Sequence, residues 1–217
     1  MWDYEYLREM SRGIPHVIRY GTAEADLIGE VSKQEPFLAV KIKGKYAQGE
    51  VATNLVGDYN LPNVLAALAI GEYFNVPQEK MFSSIAGYTP SNHRSQLVKL
   101  GTNTVILDAY NANPSSMKLA IENFMRTAGE NKILMIGAMA ELGDESLEEH
   151  KAIIELIKTG QWKFVALTGG DFQKLDHPFL RFENSTDAAE WFRQQHFEHM
   201  QLLIKGSRSM QMEKIIS

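Results

Sequence analysis

From residue 97 onward, hydrophobic positions alternate between short apolar runs and longer amphipathic stretches. "QLVKL" and "TVILDA" precede "PSSMKLAIENFMRTA", in which Met117, Ile121, Phe124 and Met125 share one helical face. "KILMIG" then leads to "SLEEHKAIIELIKTG", "KFVALTGG" to "STDAAEWFRQQH", and "QLLIKG" to "SRSMQMEKII". Short apolar strands alternating with helices predict βαβ units. The expected fold class is therefore α/β, with a Rossmann-like, mainly parallel sheet covered by helices on both faces.

Before residue 88 the pattern differs. "IPHVIRY", "ADLIGEV", "PFLAVKIKG" and "YAQGEVATNLVG" are short apolar or alternating runs punctuated by glycine and charge, which predicts a strand meander. "NLPNVLAALAIGEYF" predicts a helix with Pro62 in its first turn. Val64 to Ile70 are apolar on nearly every face, so this helix is expected to be buried. "PQEKMFSSIAGY" predicts a shorter helix ending at Gly87. "YTPSNHRSQ", residues 88–96, has no periodicity and reads as a linker between modules 1–87 and 97–217.

Composition narrows the class. The net charge of −5 carries no global basic footprint, so nucleic acid is not an expected partner. No apolar run approaches the ~18–20 residues of a membrane span. The N-terminus, "MWDYEYLREMSRG", is mixed and charged, unlike a signal peptide. The absence of cysteine excludes disulfides and thiolate metal sites and suits a reducing, cytoplasmic setting.

In open α/β sheets ligands bind beyond the carboxyl ends of the strands. Those ends carry Asp108, Gly137, Thr168–Gly170 and the run Lys205–Arg208. In "DAYNANPSSM", Asn113 and Pro114 suit the N-cap and first position of a helix. That leaves Asp108 and Asn111 without a structural explanation, and a strand-end carboxylate can accept both hydroxyls of a ribose. In "KGSRSM", Ser207 at a helix start, flanked by Lys205 and Arg208, suits an anion. The simpler account is a plain N-cap beside two solvated bases. Ser146 with Glu149 three residues on reads as a capping box, and Glu141 as a solvated loop carboxylate. Arg94, next to His93 in the linker, offers a planar, permanently charged fork for phosphate. His196 and His199 lack zinc spacing and read as surface residues.

Several motifs are missing. Without G-x-G-x-x-G, a nicotinamide oxidoreductase is disfavoured. Without G-x-x-x-x-G-K-[ST], the chain has no P-loop of its own, and without G-x-S-x-G it has no nucleophile elbow.

"GDYNLPNVLAALAIG", "NHRSQ", "ILDAYNANPSSM", "IGAMAELGDESLEEH" and "IKGSRSM" occur in an order that resembles the Mur ligases over essentially the whole chain. The resemblance implies that residues 1–87 are the end of the family's central ATPase domain, 88–96 a hinge, and 97–217 its C-terminal Rossmann-like domain. The P-loop, the magnesium-binding carboxylate and the modified lysine would precede residue 1. The implied activity is ATP-dependent amide formation in peptidoglycan precursor synthesis. D-alanyl-D-alanine would be added to UDP-N-acetylmuramoyl-tripeptide through an acyl phosphate, with ATP and Mg2+ and a monomeric enzyme. This chain alone would be inert.

The resemblance also assigns roles. Asn60 and Asn63 would border adenine, and Arg94 would reach ATP phosphate as the catalytic residue. Asp108 would hold the ribose, and Asn111 would lie near the nucleotide. Asn113, Ser207 and Arg208 would lie near the incoming dipeptide. Two positions depart from the family: Tyr59 stands where histidine is common, and Ala138 where an acidic residue is frequent. A stand-alone nucleotide- or ligand-binding α/β module without catalysis remains the alternative, and an in-frame P-loop upstream would favour the ligase.

Overall fold

The computed structural model describes residues 1–45 and 47–217. The chain divides into two compact units, Met1–Thr89 and Pro90–Ser217.

The first unit begins with a short helix, α1 (Glu5–Met10), which buries no residue and which the apolar pattern did not foretell. A four-stranded sheet follows: β1 (Tyr20–Gly21), β2 (Leu27–Lys33), β3 (Ala39–Gly44) and β4 (Gly49–Ala52). The expected meander exists for β2, β3 and β4, which are antiparallel, whereas β1 runs parallel to β2. "IPHVIRY" contributes only Tyr20 to a strand. Pro15 has no N–H for a ladder. The Arg19 N–H is taken by the Asp26 carboxylate at 3.0 Å, and the Arg19 guanidinium grips the same group at 2.9 Å. These bonds hold the Asp26 carboxyl down to about 2. Tyr46, which opens the last expected run, lies outside the described residues.

The two predicted helices form as α2 (Leu61–Tyr73) and α3 (Gln78–Gly87). Leu61, Val64, Leu65 and Leu68 of α2 pack into the core with Leu27, Val40 and Ile42. Gly29 of β2 permits this approach, because a Cβ there would lie 2.6 Å from a Leu65 methyl. The expectation of full burial fails for the opposite side of α2. Ile70 is 60% exposed and Phe74, just past the helix, 69% exposed. A helix resting on one sheet can bury only the stripe that faces it.

The second unit is a six-stranded sheet made of β5 (Gln96–Leu100), β6 (Asn103–Asp108), β7 (Lys132–Gly137), β8 (Phe164–Thr168), β9 (Leu180–Phe182) and β10 (Gln201–Lys205). The order is β5-β6-β10-β7-β8-β9, and only the edge strand β5 is antiparallel. The three-residue β9 was not predicted. Helices α4 (Pro114–Arg126), α5 (Ser146–Lys158) and α6 (Ser185–Gln194) provide the crossovers. α6 and the C-terminal turns cover Val105, Leu107, Ile133, Met135, Leu202 and Ile204. The alternate residues Ile106, Leu134, Ile136 and Leu203 point to the other face and are equally buried. The expected α/β sheet with both faces covered is what forms.

Two local expectations are corrected. Ser146 does not cap α5: Glu145 holds the cap position, with no side-chain bond. The Ser146 carbonyl instead accepts from Nδ1 of the buried His150 at 2.6 Å, and His150 Nε2 accepts the Met139 N–H at 3.0 Å. His150 thus ties down both ends of the loop between β7 and α5. Nor is "SRSMQMEKII" an α-helix. It forms two 3-10 turns, Arg208–Met210 and Met212–Ile216, divided by a left-handed Gln211 with φ 48°. The break drops Met212, fully buried, into a notch left by Gly137 and Gly206.

Candidate functional site

Parallel pairing of β6, β10 and β7 gathers several candidate residues of the second unit at one sheet edge. β10 is the last strand in the chain but sits between β6 and β7, so Lys205 registers directly with Asp108 and with Ile136. The ladder runs on past the strand ends, because Ser207 N–H donates to the Ala138 carbonyl at 3.1 Å and Ala138 N–H to the Thr168 carbonyl at 2.9 Å. Ala138 itself is buried and presses on Gly170, where a Cβ would lie only 2.4 Å from its own.

Asp108, at the end of β6 with its side chain 14% exposed, binds Lys205 Nζ at 2.5 Å and accepts the Ser95 N–H at 3.0 Å. Lys205 also donates to the Asn111 carbonyl at 3.2 Å. The reading of Lys205 as a solvated base is therefore corrected: it is 2% exposed and bridges the two ends of the loop 108–111. Arg94 is exposed, with its guanidinium 3.7 Å from the centre of the Tyr110 ring. Stacking of this kind pre-orients the fork while leaving its N–H groups free to meet an anion. Sequence reasoning left Tyr110 without a role and read Lys205 only as a charge beside an anion site or as a solvated base. Tyr110 lay inside the quoted motif, and Lys205 stood at a strand end.

Asn113 is an N-cap, accepting the Ser116 N–H at 2.8 Å while the Ser116 hydroxyl accepts the Asn113 N–H at 3.1 Å. Its side chain serves the start of α4, and the side chain of Asn111 is exposed. The helix-start reading of Ser207 is corrected, because only a three-residue 3-10 turn follows it. The Ser207 hydroxyl is buried, 3.0 Å from that of Ser209. Arg208 is exposed and paired with Glu213 at 3.0 Å. Glu141 is exposed, as expected of a solvated loop carboxylate, on a left-handed backbone.

Asn60 and Asn63 lie in the first unit, where Asn63 Nδ2 donates to Asn60 Oδ1 at 2.9 Å and Asn60 Nδ2 to the Val56 carbonyl at 2.8 Å. The buried Asn60 is thereby oriented, and Asn63 faces outward. The Tyr59 ring lies against Gly57, whose φ of 91° and lack of Cβ admit it. Among the described residues no group of three or more His, Cys, Asp or Glu could hold a metal ion. Among them no helix is long and apolar enough to cross a membrane.

The glycine notch gives a direct test of this edge. A Cβ at Gly206 would lie 2.7 Å from Met212 and 3.0 Å from the Gly137 backbone. Gly206→Ala is expected to cost about 1–3 kcal/mol, the usual range for overpacking. Urea unfolding of the two chains measures it, and an unchanged midpoint would show that the notch can relax.

The strand order, with helices on both faces, makes the second unit a mainly parallel α/β domain. The chain belongs to the Mur ligase family: residues 93–214 match the family described as "Mur ligase, glutamate ligase domain". Among its relatives is the UDP-N-acetylmuramoyl-tripeptide–D-alanyl-D-alanine ligase of Bacillus subtilis, 28% identical over 90% of this chain and 45% of the relative. The enzyme of the same name from Mycobacterium tuberculosis H37Rv is 34% identical over 49% of this chain and 22% of its own length. In fold, the chain is similar to the MurF ligase of Thermotoga maritima solved in complex with ADP, with a TM-score of 0.84 at 18% identity, covering 99% of this chain and 51% of that one. The chain spans about half the length of the relatives matched over most of it.

Proposed function

We propose that this chain is the C-terminal portion of an ATP-dependent ligase that joins D-alanyl-D-alanine to UDP-N-acetylmuramoyl-tripeptide. The observation that carries the reading is the grouping of Arg94, Tyr110, Asp108 and Lys205 at the carboxyl edge of the sheet. Relatives that bear the ligase's name and a neighbour solved with ADP support it. The outward apolar side of α2 also supports it, since exposed apolar stripes mark surfaces built to be covered.

In this reading residues 1–87 close the central domain, 88–96 form the hinge and 97–217 form the domain that swings. ATP phosphorylates the terminal carboxylate of the tripeptide. The amino group of D-alanyl-D-alanine then attacks the acyl carbonyl, forming the amide and releasing phosphate. Arg94 offsets charge on the transferred phosphoryl group, and such positioning and electrostatics supply most of the rate in this chemistry. Asp108 and Asn111 face the ribose side of the nucleotide, while Asn60 and Asn63 border adenine. Asn113, Ser207 and Arg208 lie towards the dipeptide, with Arg208 exchanging Glu213 for its carboxylate. Magnesium would offset further phosphate charge, and its ligands are expected outside the described residues, among which no group of three or more His, Cys, Asp or Glu could hold a metal ion. The setting is cytoplasmic and the enzyme monomeric.

The test is ADP release by the full-length gene product. It is expected only when ATP, UDP-N-acetylmuramoyl-tripeptide and D-alanyl-D-alanine are all present, and the 217-residue chain alone should release none. ADP release indifferent to the dipeptide would refute the reading.

A further inference from the structure

Asn92, His93 and Ser95 all adopt left-handed backbone conformations, with φ of 56°, 58° and 45°. Non-glycine residues enter this region rarely, and three within four positions persist only where their surroundings over-determine them. One short stretch, 108–110, contacts this segment at three points. Tyr110 N–H donates to the His93 carbonyl at 3.2 Å, Ser95 N–H donates to Asp108 Oδ1 at 3.0 Å, and the Arg94 guanidinium lies on the Tyr110 ring. Asp108 and Tyr110 can serve as anchors only if they are themselves fixed. The group that fixes them is the Lys205 ammonium, which binds Asp108 Oδ2 and the Asn111 carbonyl and so staples both ends of their loop.

An ion pair placed only for stability is a weak choice, because an apolar pair of similar volume often does as well. The three positions before Lys205 on β10 are Leu202, Leu203 and Ile204, all buried. We propose that Lys205 is a positioning residue that acts through Asp108 to lock the left-handed segment 92–95 and so to aim Arg94. The aim matters on the reading of Arg94 as the group that faces nucleotide phosphate. The lock is a property of this chain alone.

Amide hydrogen exchange on the 217-residue chain tests it, comparing wild type with Lys205→Met, Asp108→Ala and the double variant. Lys205→Met is expected to speed exchange at the Ser95 and Tyr110 amides at least tenfold, leaving Leu134 and Ala166 in the central strands unchanged. Asp108→Ala should speed Ser95 similarly, and adding Lys205→Met to it should change Ser95 no further, because the lysine acts through the carboxylate. An unchanged Ser95 rate in Lys205→Met, a uniform rise across the sheet, or a further rise in the double variant would overturn the inference. If Lys205→Met does not fold, the comparison of Asp108→Ala with the double variant decides. The measurement needs no nucleotide, so a failed ligase assay would overturn the proposed function while leaving the lock to be judged on exchange.

Discussion

Arg94→Ala in the full-length enzyme is expected to lower turnover at least tenfold, equivalent to about 1.4 kcal/mol of lost transition-state stabilisation. The side chain is exposed and makes its one described contact with the Tyr110 ring, so its removal should leave the fold intact. An arginine placed there for stability would show the reverse, with a shift in melting and normal turnover. Arg94→Lys separates charge from geometry. It retains a cation but not the planar guanidinium fork, so its turnover should fall between wild type and alanine. Steady-state rates with D-alanyl-D-alanine as the varied substrate measure both variants. Wild-type turnover in Arg94→Ala would remove this residue from the mechanism.

Phe124→Ala carries the largest expected effect on stability, about 3–5 kcal/mol. Phe124 is buried on α4 and stacks on Trp162, with ring centres 6.0 Å apart. The indole donates to the Ile157 carbonyl at 2.7 Å near the end of α5. Beside the same ring, Lys132 caps the end of α4, binding the carbonyls of Met125 at 2.9 Å and Thr127 at 2.6 Å. Truncation would leave a cavity under two helices that have little freedom to collapse. Urea unfolding should show a lower midpoint with an unchanged slope. A loss below about 1 kcal/mol, the cost of removing little more than one buried methylene, would mean that the helices close the gap.

The two predictions rest on positions found by different signals: Arg94 by its chemistry in an aperiodic linker, Phe124 by the apolar pattern. Met117, Ile121 and Phe124 are legible as one helical face because a 3.6-residue repeat needs no knowledge of what the face meets. Short apolar runs such as "KILMIG" and "FVALT" are likewise legible, since strands covered on both faces read as continuous hydrophobic stretches. The same local logic misjudged α2. Its apolar surround implied full burial, but one sheet covers only one side of it. It also misjudged the last segment, where left-handed Gln211 divides two 3-10 turns and Met212 and Ile215 are buried.

The chain by itself determined its alternation of strands and helices, the cap at Asn113 and the strand-end placement of Asp108, because each depends on residues within a few positions of one another. Only the tertiary structure decided that Lys205 would stand beside Asp108, 97 residues away in sequence. That neighbourhood follows from inserting the final strand between β6 and β7, a choice of topology that no local pattern encodes. The burial of Lys205 and the notch at Gly137 and Gly206 are consequences of that insertion. Each requires groups distant along the chain to meet in space.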